Sequence, residues 1–143
     1  MTRWDSTSVE ETEAIGRELA PRLVSDGTLL LAGELGAGKT ALVRGLAAGL
    51  GVAAGEVQSP TFTLLREHRG AHGRLLHFDL YRLSPHEVEA SGFEELLLGP
   101  GVKAVEWPER LPFAVPGAWR LVIARDGDAR RIELSAANDG DRG

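Results

Sequence analysis

Eight consecutive residues, Gly33-Glu34-Leu35-Gly36-Ala37-Gly38-Lys39-Thr40, follow the pattern GxxxxGK(S/T) without a mismatch. Glycine at positions 33, 36 and 38 lets the backbone curl so that successive amide N–H groups turn inward. A helix starting at the end of the loop adds the positive end of its dipole. Such a loop is built to cradle a phosphate chain. Lys39 would reach the β- and γ-phosphates, and the Thr40 hydroxyl would stand where Mg²⁺, an ion that prefers oxygen ligands, can take it. The plain alternative is a glycine-rich turn at a helix start. A chance match in a chain of this length has a probability of roughly 0.5% at average residue usage, before any flanking strand and helix are required. Lys39→Ala should therefore remove phosphate affinity and leave the fold.

A phosphate loop that uses magnesium calls for a carboxylate at the end of a neighbouring strand. Two residues qualify. Asp79 closes Leu75-Leu76-His77-Phe78-Asp79, the shape of a Walker B element, and Glu106 closes Lys103-Ala104-Val105-Glu106 in the same way. Either alone could be a solvated acid at a strand end; beside a phosphate loop, at least one should serve the metal. Ser59-Pro60-Thr61-Phe62-Thr63 lies where a segment sensing the γ-phosphate is often placed, although by itself it reads as a turn into a strand. His68, His72, His77 and His86 lack helical pair spacing and cysteine companions, so surface or internally bonded histidines fit better than a metal site. The guanine-reading motif NKxD is missing, since Asn138 is the only asparagine, which disfavours a GTPase.

These residues need elements to hold them. Thr28 to Ala32 is a short apolar run that reads as a buried strand feeding the loop, and from Ala41 onward Leu42, Val43, Leu46, Ala47 and Leu50 give one helical face ended by Gly49-Leu50-Gly51. Upstream, Ser8 and Glu11 form a capping box before a helix striped by Ile15, Leu19 and Leu23, with Pro21 expected to kink or shorten its last turn. Thr61–His68 and Arg74–Asp79 flank a loop with two glycines and suggest an antiparallel hairpin. Ser84-Pro85-His86-Glu87 starts a short helix. Val102 to Glu106 reads as a second buried strand, stopped by Pro108. Trp119–Arg125 and Arg130–Leu134 form a hairpin about Asp126-Gly127-Asp128. Residues 1–135 then make one domain, and 136–143 a frayed tail.

Composition narrows the classes. The chain has 143 residues, with 43% apolar and 26% charged, and a net charge of −5. A single core of this size folds unaided. Zero cysteines remove disulfides, zinc-thiolate sites and thiol nucleophiles, and fit a reducing cytoplasm. No apolar stretch approaches the ~20 residues of a membrane helix, and the first residues lack a signal-peptide core, so a cytoplasmic location is expected. A pI near 5.4 argues against bulk binding of DNA or other nucleic acid, although Arg outnumbers Lys 14 to 2 and leaves room for a local basic patch.

The loop at 33–40, then Ser59-Pro60-Thr61-Phe62-Thr63, then His77-Phe78-Asp79-Leu80-Tyr81-Arg82-Leu83, then Glu106-Trp107-Pro108-Glu109, in that order and spacing, resemble the TsaE (YjeE) family of bacterial P-loop ATPases. The resemblance runs from about Ser6 to Leu134. It implies a protein that binds and hydrolyses ATP with Mg²⁺ while associating with a TsaB–TsaD heterodimer, and touches tRNA indirectly through that complex. The product of that complex is N6-threonylcarbamoyladenosine in tRNAs reading codons that begin with A; TsaD carries the transfer. Carried over residue by residue, Gly36, Ala37, Gly38, Lys39, Thr40 and Ala41 would hold the phosphates, and Thr40 with Glu106 would hold Mg²⁺. Asp79 would organise the metal or the attacking water. Ser59, Pro60 and Thr61 match the switch-like segment, Arg130 a nucleotide-contacting arginine, Trp107 a neighbour of the acidic site, and Thr7 or Ser8 the adenine side. Ala41 and Phe62 depart from the commoner Thr and Tyr without touching the phosphate or metal chemistry.

The expected fold is a three-layer α/β P-loop NTPase-like domain with a mixed central sheet and antiparallel hairpins. Hydrolysis would be in-line attack of water, with Lys39, Asp79 and Glu106 as the catalytic group. Arg82 is a candidate charge-stabilising arginine, but a solvated one fits better, so turnover alone should be slow. Competing readings are a small-molecule P-loop kinase, for which 143 residues leave little room for a lid and an acceptor site, and a non-hydrolytic ATP-dependent assembly factor.

Overall fold

The computed structural model describes residues 2–23, 26–34, 38–53 and 64–136. Seven strands form one mixed sheet: β1 (Thr2–Ser6), β2 (Thr28–Ala32), β3 (Leu65–Gly70), β4 (Gly73–Asp79), β5 (Val102–Glu106), β6 (Trp119–Asp126) and β7 (Ala129–Ala136). Their order is β1-β7-β6-β2-β5-β4-β3, so the strand that feeds the glycine loop is central. β2 pairs in parallel with β5 and β6, and β4 runs parallel to β5, while β3, β7 and β1 add antiparallel edges.

Helices α1 (Val9–Leu23) and α2 (Lys39–Gly49) cover one face. Leu19, Leu23, Leu42 and Leu46 pack there on Leu29, Leu31, Leu121 and Ile132. The two helices touch backbone to backbone, because a Cβ on Gly16 would overlap the Leu42 carbonyl and one on Gly45 the Glu13 carbonyl. On the other face, α3 (Pro85–Ser91), α4 (Phe93–Leu97) and the segment around Val115 bury Leu30, Leu76, Phe78 and Val105. The result is the three-layer mixed sheet expected from the sequence.

Local detail departs from expectation in several places. β1 was not anticipated: its charged Arg3 and Asp5 alternate with half-buried Trp4, and an edge strand of that kind carries little apolar signal. At the start of α1, Ser8 Oγ accepts from the Glu11 amide at 3.0 Å, but the Glu11 carboxylate reaches back to the amide and hydroxyl of Thr7, not to Ser8. The helix continues two residues past Pro21, whose lost amide matters least in a last turn. The β3–β4 loop tightens to Ala71-His72, because Gly70 and Gly73 both join the ladder. β7 extends through Ala136, paired with Trp119, one residue beyond the expected domain end. At α3 the capping box expected of Ser84-Pro85-His86-Glu87 does form in full, with Ser84 and Glu87 exchanging bonds of 3.0 and 3.2 Å.

At the end of β5 away from the loop, Lys103 is buried and its ammonium donates to the carbonyls of Asp26 (2.8 Å) and Gly99 (2.6 Å), which ties the β2 and β5 entrances together. Among the described residues no helix is long and apolar enough to cross a membrane.

Candidate functional site

The carboxyl ends of β2, β5 and β4 lie side by side, and the chain leaves β2 through Gly33, whose Cβ position would fall 2.5 Å from the Ile123 carbonyl. Gly38 is the N-cap of α2 with φ 110°, a left-handed backbone that a side chain would strain. The α2 amino end therefore faces the loop, as phosphate binding requires. Helix α2 begins at Lys39, two residues earlier than apolar periodicity alone places it. Thr40 is half-buried in its first turn, and Ala41 is buried. Gly36, Ala37, Ser59, Pro60 and Thr61 lie outside the described residues.

Lys39 is buried, and its ammonium donates to the Gly33 carbonyl at 2.7 Å while sitting 4.2 Å from the centre of the Trp107 ring. Here the amine faces its own loop's backbone and an indole, a combination no sequence pattern announces. Burial lowers its pKa from the ordinary lysine value, against the opposing pull of Glu106, Asp79 and Glu109. Trp107 itself has φ 61°, a conformation costing a bulky residue on the order of 1–2 kcal/mol, and it turns the chain from β5 into the short 3-10 turn Pro108–Arg110. Its ring also packs on Tyr81, with centroids 4.8 Å apart.

Asp79 and Glu106 are direct partners in the β4–β5 register, so their side chains leave the sheet on the same face. Burial raises the Asp79 pKa from the ordinary carboxylate value and Glu106 raises it further, against the Tyr81 amide, His77 and Lys39, which lower it. The Tyr81 amide donates to Asp79 Oδ1 at 3.1 Å. Glu106 is buried and meets His77 Nε2 through Oε2 at 2.6 Å. His77, read from the sequence as an internally bonded or surface histidine, is the former. Its signal was its place two residues before Asp79, hence on the same strand face.

Across β2, Arg130 pairs with Ser6 and Arg125, which places it with Thr7 and Ser8 at the same edge as the loop, on the flank opposite the acids. Its Nη1 donates to the Ala129 carbonyl at 3.1 Å. Arg82 is exposed in the turn after β4.

Among the described residues no set of three or more His, Asp and Glu side chains converges into a metal cage. Two adjacent carboxylates instead suit a cation that takes most of its ligands from phosphate and water, as Mg²⁺ does.

A central parallel strand running into a glycine loop and helix, with acids ending two neighbouring parallel strands, defines a P-loop NTPase-like α/β domain. The family model described as "Threonylcarbamoyl adenosine biosynthesis protein TsaE" matches residues 6–133. The chain belongs to the TsaE family. It is 39% identical over 144 residues to a Nostoc protein named tRNA threonylcarbamoyladenosine biosynthesis protein TsaE, covering 96% of this chain and 88% of that one. A Bacillus subtilis protein of the same name is 38% identical, with coverage of 90% and 81%. A Synechocystis protein, again of that name, is 50% identical over 105 residues, which is 71% of this chain and 66% of the relative. Among solved structures, the crystal structure of YdiB from Bacillus subtilis superposes with a TM-score of 0.71 at 33% identity, over 99% of this chain and 89% of that one.

Proposed function

We propose that this chain is a magnesium-dependent ATPase that supports formation of threonylcarbamoyladenosine in tRNA, in association with a TsaB–TsaD heterodimer. The observation that carries the reading is the meeting of Lys39, Asp79 and Glu106 at the carboxyl ends of β2, β4 and β5, at the amino end of α2. Thr40, Glu106 and Asp79 would hold Mg²⁺, which when bound neutralises charge on the β- and γ-phosphates. To engage those phosphates, the Lys39 ammonium leaves the Gly33 carbonyl and the Trp107 face. The free amides at the α2 amino end hold the phosphate oxygens, and Asp79 orients the attacking water. Arg130 with Thr7 or Ser8 would contact the nucleoside side, and Ser59 and Thr61 the γ-phosphate. In this reading the protein acts in the cytoplasm and reaches tRNA only through its partners.

The test is ATP hydrolysis with Mg²⁺ by the isolated protein and after addition of TsaB–TsaD from the same organism, with Lys39→Ala as control. Slow turnover alone, stimulation by the partners and loss of at least 100-fold in the variant are expected, since the lysine supplies transition-state charge stabilisation. Absence of ATP binding together with absence of a partner response overturns the reading. If Glu106→Ala cannot hydrolyse ATP yet still supports the modification, nucleotide binding rather than hydrolysis is the working step.

A further inference from the structure

Glu106 has a neighbour that neither the phosphate loop nor the acid pair explains. His77 and Asp79 alternate on one face of β4, and β5 presents Glu106 and Ala104 on that same face, Asp79 across from Glu106 and His77 across from Ala104. The small Ala104 side chain leaves the space through which the imidazole reaches one pleat along to Glu106. Both residues are buried, at 2% and 6% exposure, so the 2.6 Å contact between Nε2 and Oε2 is shielded from water. A carboxylate oxygen only accepts, so Nε2 carries the donated hydrogen. The other ring nitrogen, Nδ1, is buried and has no hydrogen-bond partner among the described residues.

That unpartnered nitrogen is informative. A histidine serving only to fill space would do worse than leucine here, since burying a polar atom without a partner is unfavourable. The imidazole sits at this depth with a single hydrogen-bond partner among the described residues, and that partner is a carboxylate of the site. With Oε2 held by the imidazole, Oε1 is the carboxylate oxygen that His77 does not engage. A ligand oxygen held in advance matters for Mg²⁺, which demands near-octahedral geometry and tolerates misplaced ligands poorly.

We propose that His77 is a positioning residue that fixes the Glu106 carboxylate for the nucleotide-bound cation. The proposal rests on the Mg²⁺–ATP reading above, and its test separates the two. Binding of a fluorescent ATP analogue to the full chain is measured in EDTA and then across a Mg²⁺ titration, for the parent, His77→Gln, His77→Asn and His77→Leu, with melting temperatures recorded for each. Gln sets its amide nitrogen near the place of Nε2, whereas Asn has equal polarity but falls short.

The expected result is a Mg²⁺ half-saturation raised about 10-fold or more in the Asn and Leu variants, with affinity in EDTA unchanged within about twofold and Gln close to the parent; loss of outer partners of metal ligands typically has effects of 10–100-fold. The Asn and Gln pair keeps the test decisive even if the Leu variant does not fold. Equal Mg²⁺ dependence in parent and Asn variant, or a Gln variant as impaired as Asn, overturns the role of His77 and leaves the nucleotide reading intact. A parent protein whose binding of the analogue ignores Mg²⁺ overturns both.

Discussion

The two flanks of β2 are built to different rules. On one side β6, β7 and β1 form an antiparallel set whose inner face is apolar over most of its length, with Leu121, Ile123, Ile132 and Leu134 at 2% exposure or less, and gives way to Ser6 and Arg130 at the loop end. Its outer face is open, showing Arg3, Arg120, Val122 and Arg131. On the other side β5 and β4 are covered on both faces, and toward their carboxyl ends the inner face changes from Leu75, Val102 and Ala104 to His77, Asp79 and Glu106. The same flank carries the left-handed Trp107 and the buried Lys39 contact. The site flank sets two like charges, Asp79 and Glu106, side by side. Crowded like charges of this kind are what the proposed nucleotide and cation would relieve.

This contrast can be broken at three places. The largest effect is expected in the antiparallel set: Leu121→Ala should lower stability by about 2–5 kcal/mol, as for other fully buried leucines, without changing nucleotide affinity below the melting transition. Chemical denaturation and nucleotide titration of the same sample check it. If affinity falls with stability, the flanks are not separable. Next comes the seam that joins both flanks to the loop. Gly45→Ala places a methyl against the Glu13 carbonyl, so α1 and α2 must separate, at a cost of about 1–3 kcal/mol, and here nucleotide affinity should fall too because α2 carries Lys39 and Thr40.

The smallest stability effect, and of opposite sign, belongs to Asp79→Asn. Because the folded protein holds the Asp79 pKa above its ordinary value, the ionised form burdens the native state at pH values above that raised pKa, and the burden disappears as pH falls toward the unfolded value. The variant should thus be more stable at neutral pH by about a few tenths of a kcal/mol, a gain kept small by solvent screening of a half-exposed group. The advantage should vanish in acid, as melting temperatures across pH would reveal, while hydrolysis drops about 10–100-fold.

The unit from Thr28 through the loop to Leu50 was legible because a phosphate loop constrains residue types at fixed spacing and its flanks keep their own periodicities. Val102–Glu106 was equally plain, being buried at every position. The hairpin of β6 and β7 was announced by Asp126-Gly127-Asp128 between alternating runs. β1 was not legible, since an edge strand with charges on its open face reads like any polar terminus, and yet it sets Ser6 beside Arg130. α4 also escaped, its five residues giving too few turns for a period. Within the site, Lys39, Asp79 and Glu106 could be nominated from type and position. The contacts of Lys39 with Gly33 and Trp107, and of His77 with Glu106, depend on strand order and register, which no local pattern encodes.

For the proposed nucleotide, the resting place of Lys39 would make binding an exchange and not an addition. Its ammonium already has a carbonyl at 2.7 Å and an aromatic face at 4.2 Å, so an arriving phosphate gains only the difference between its own attraction and those two contacts.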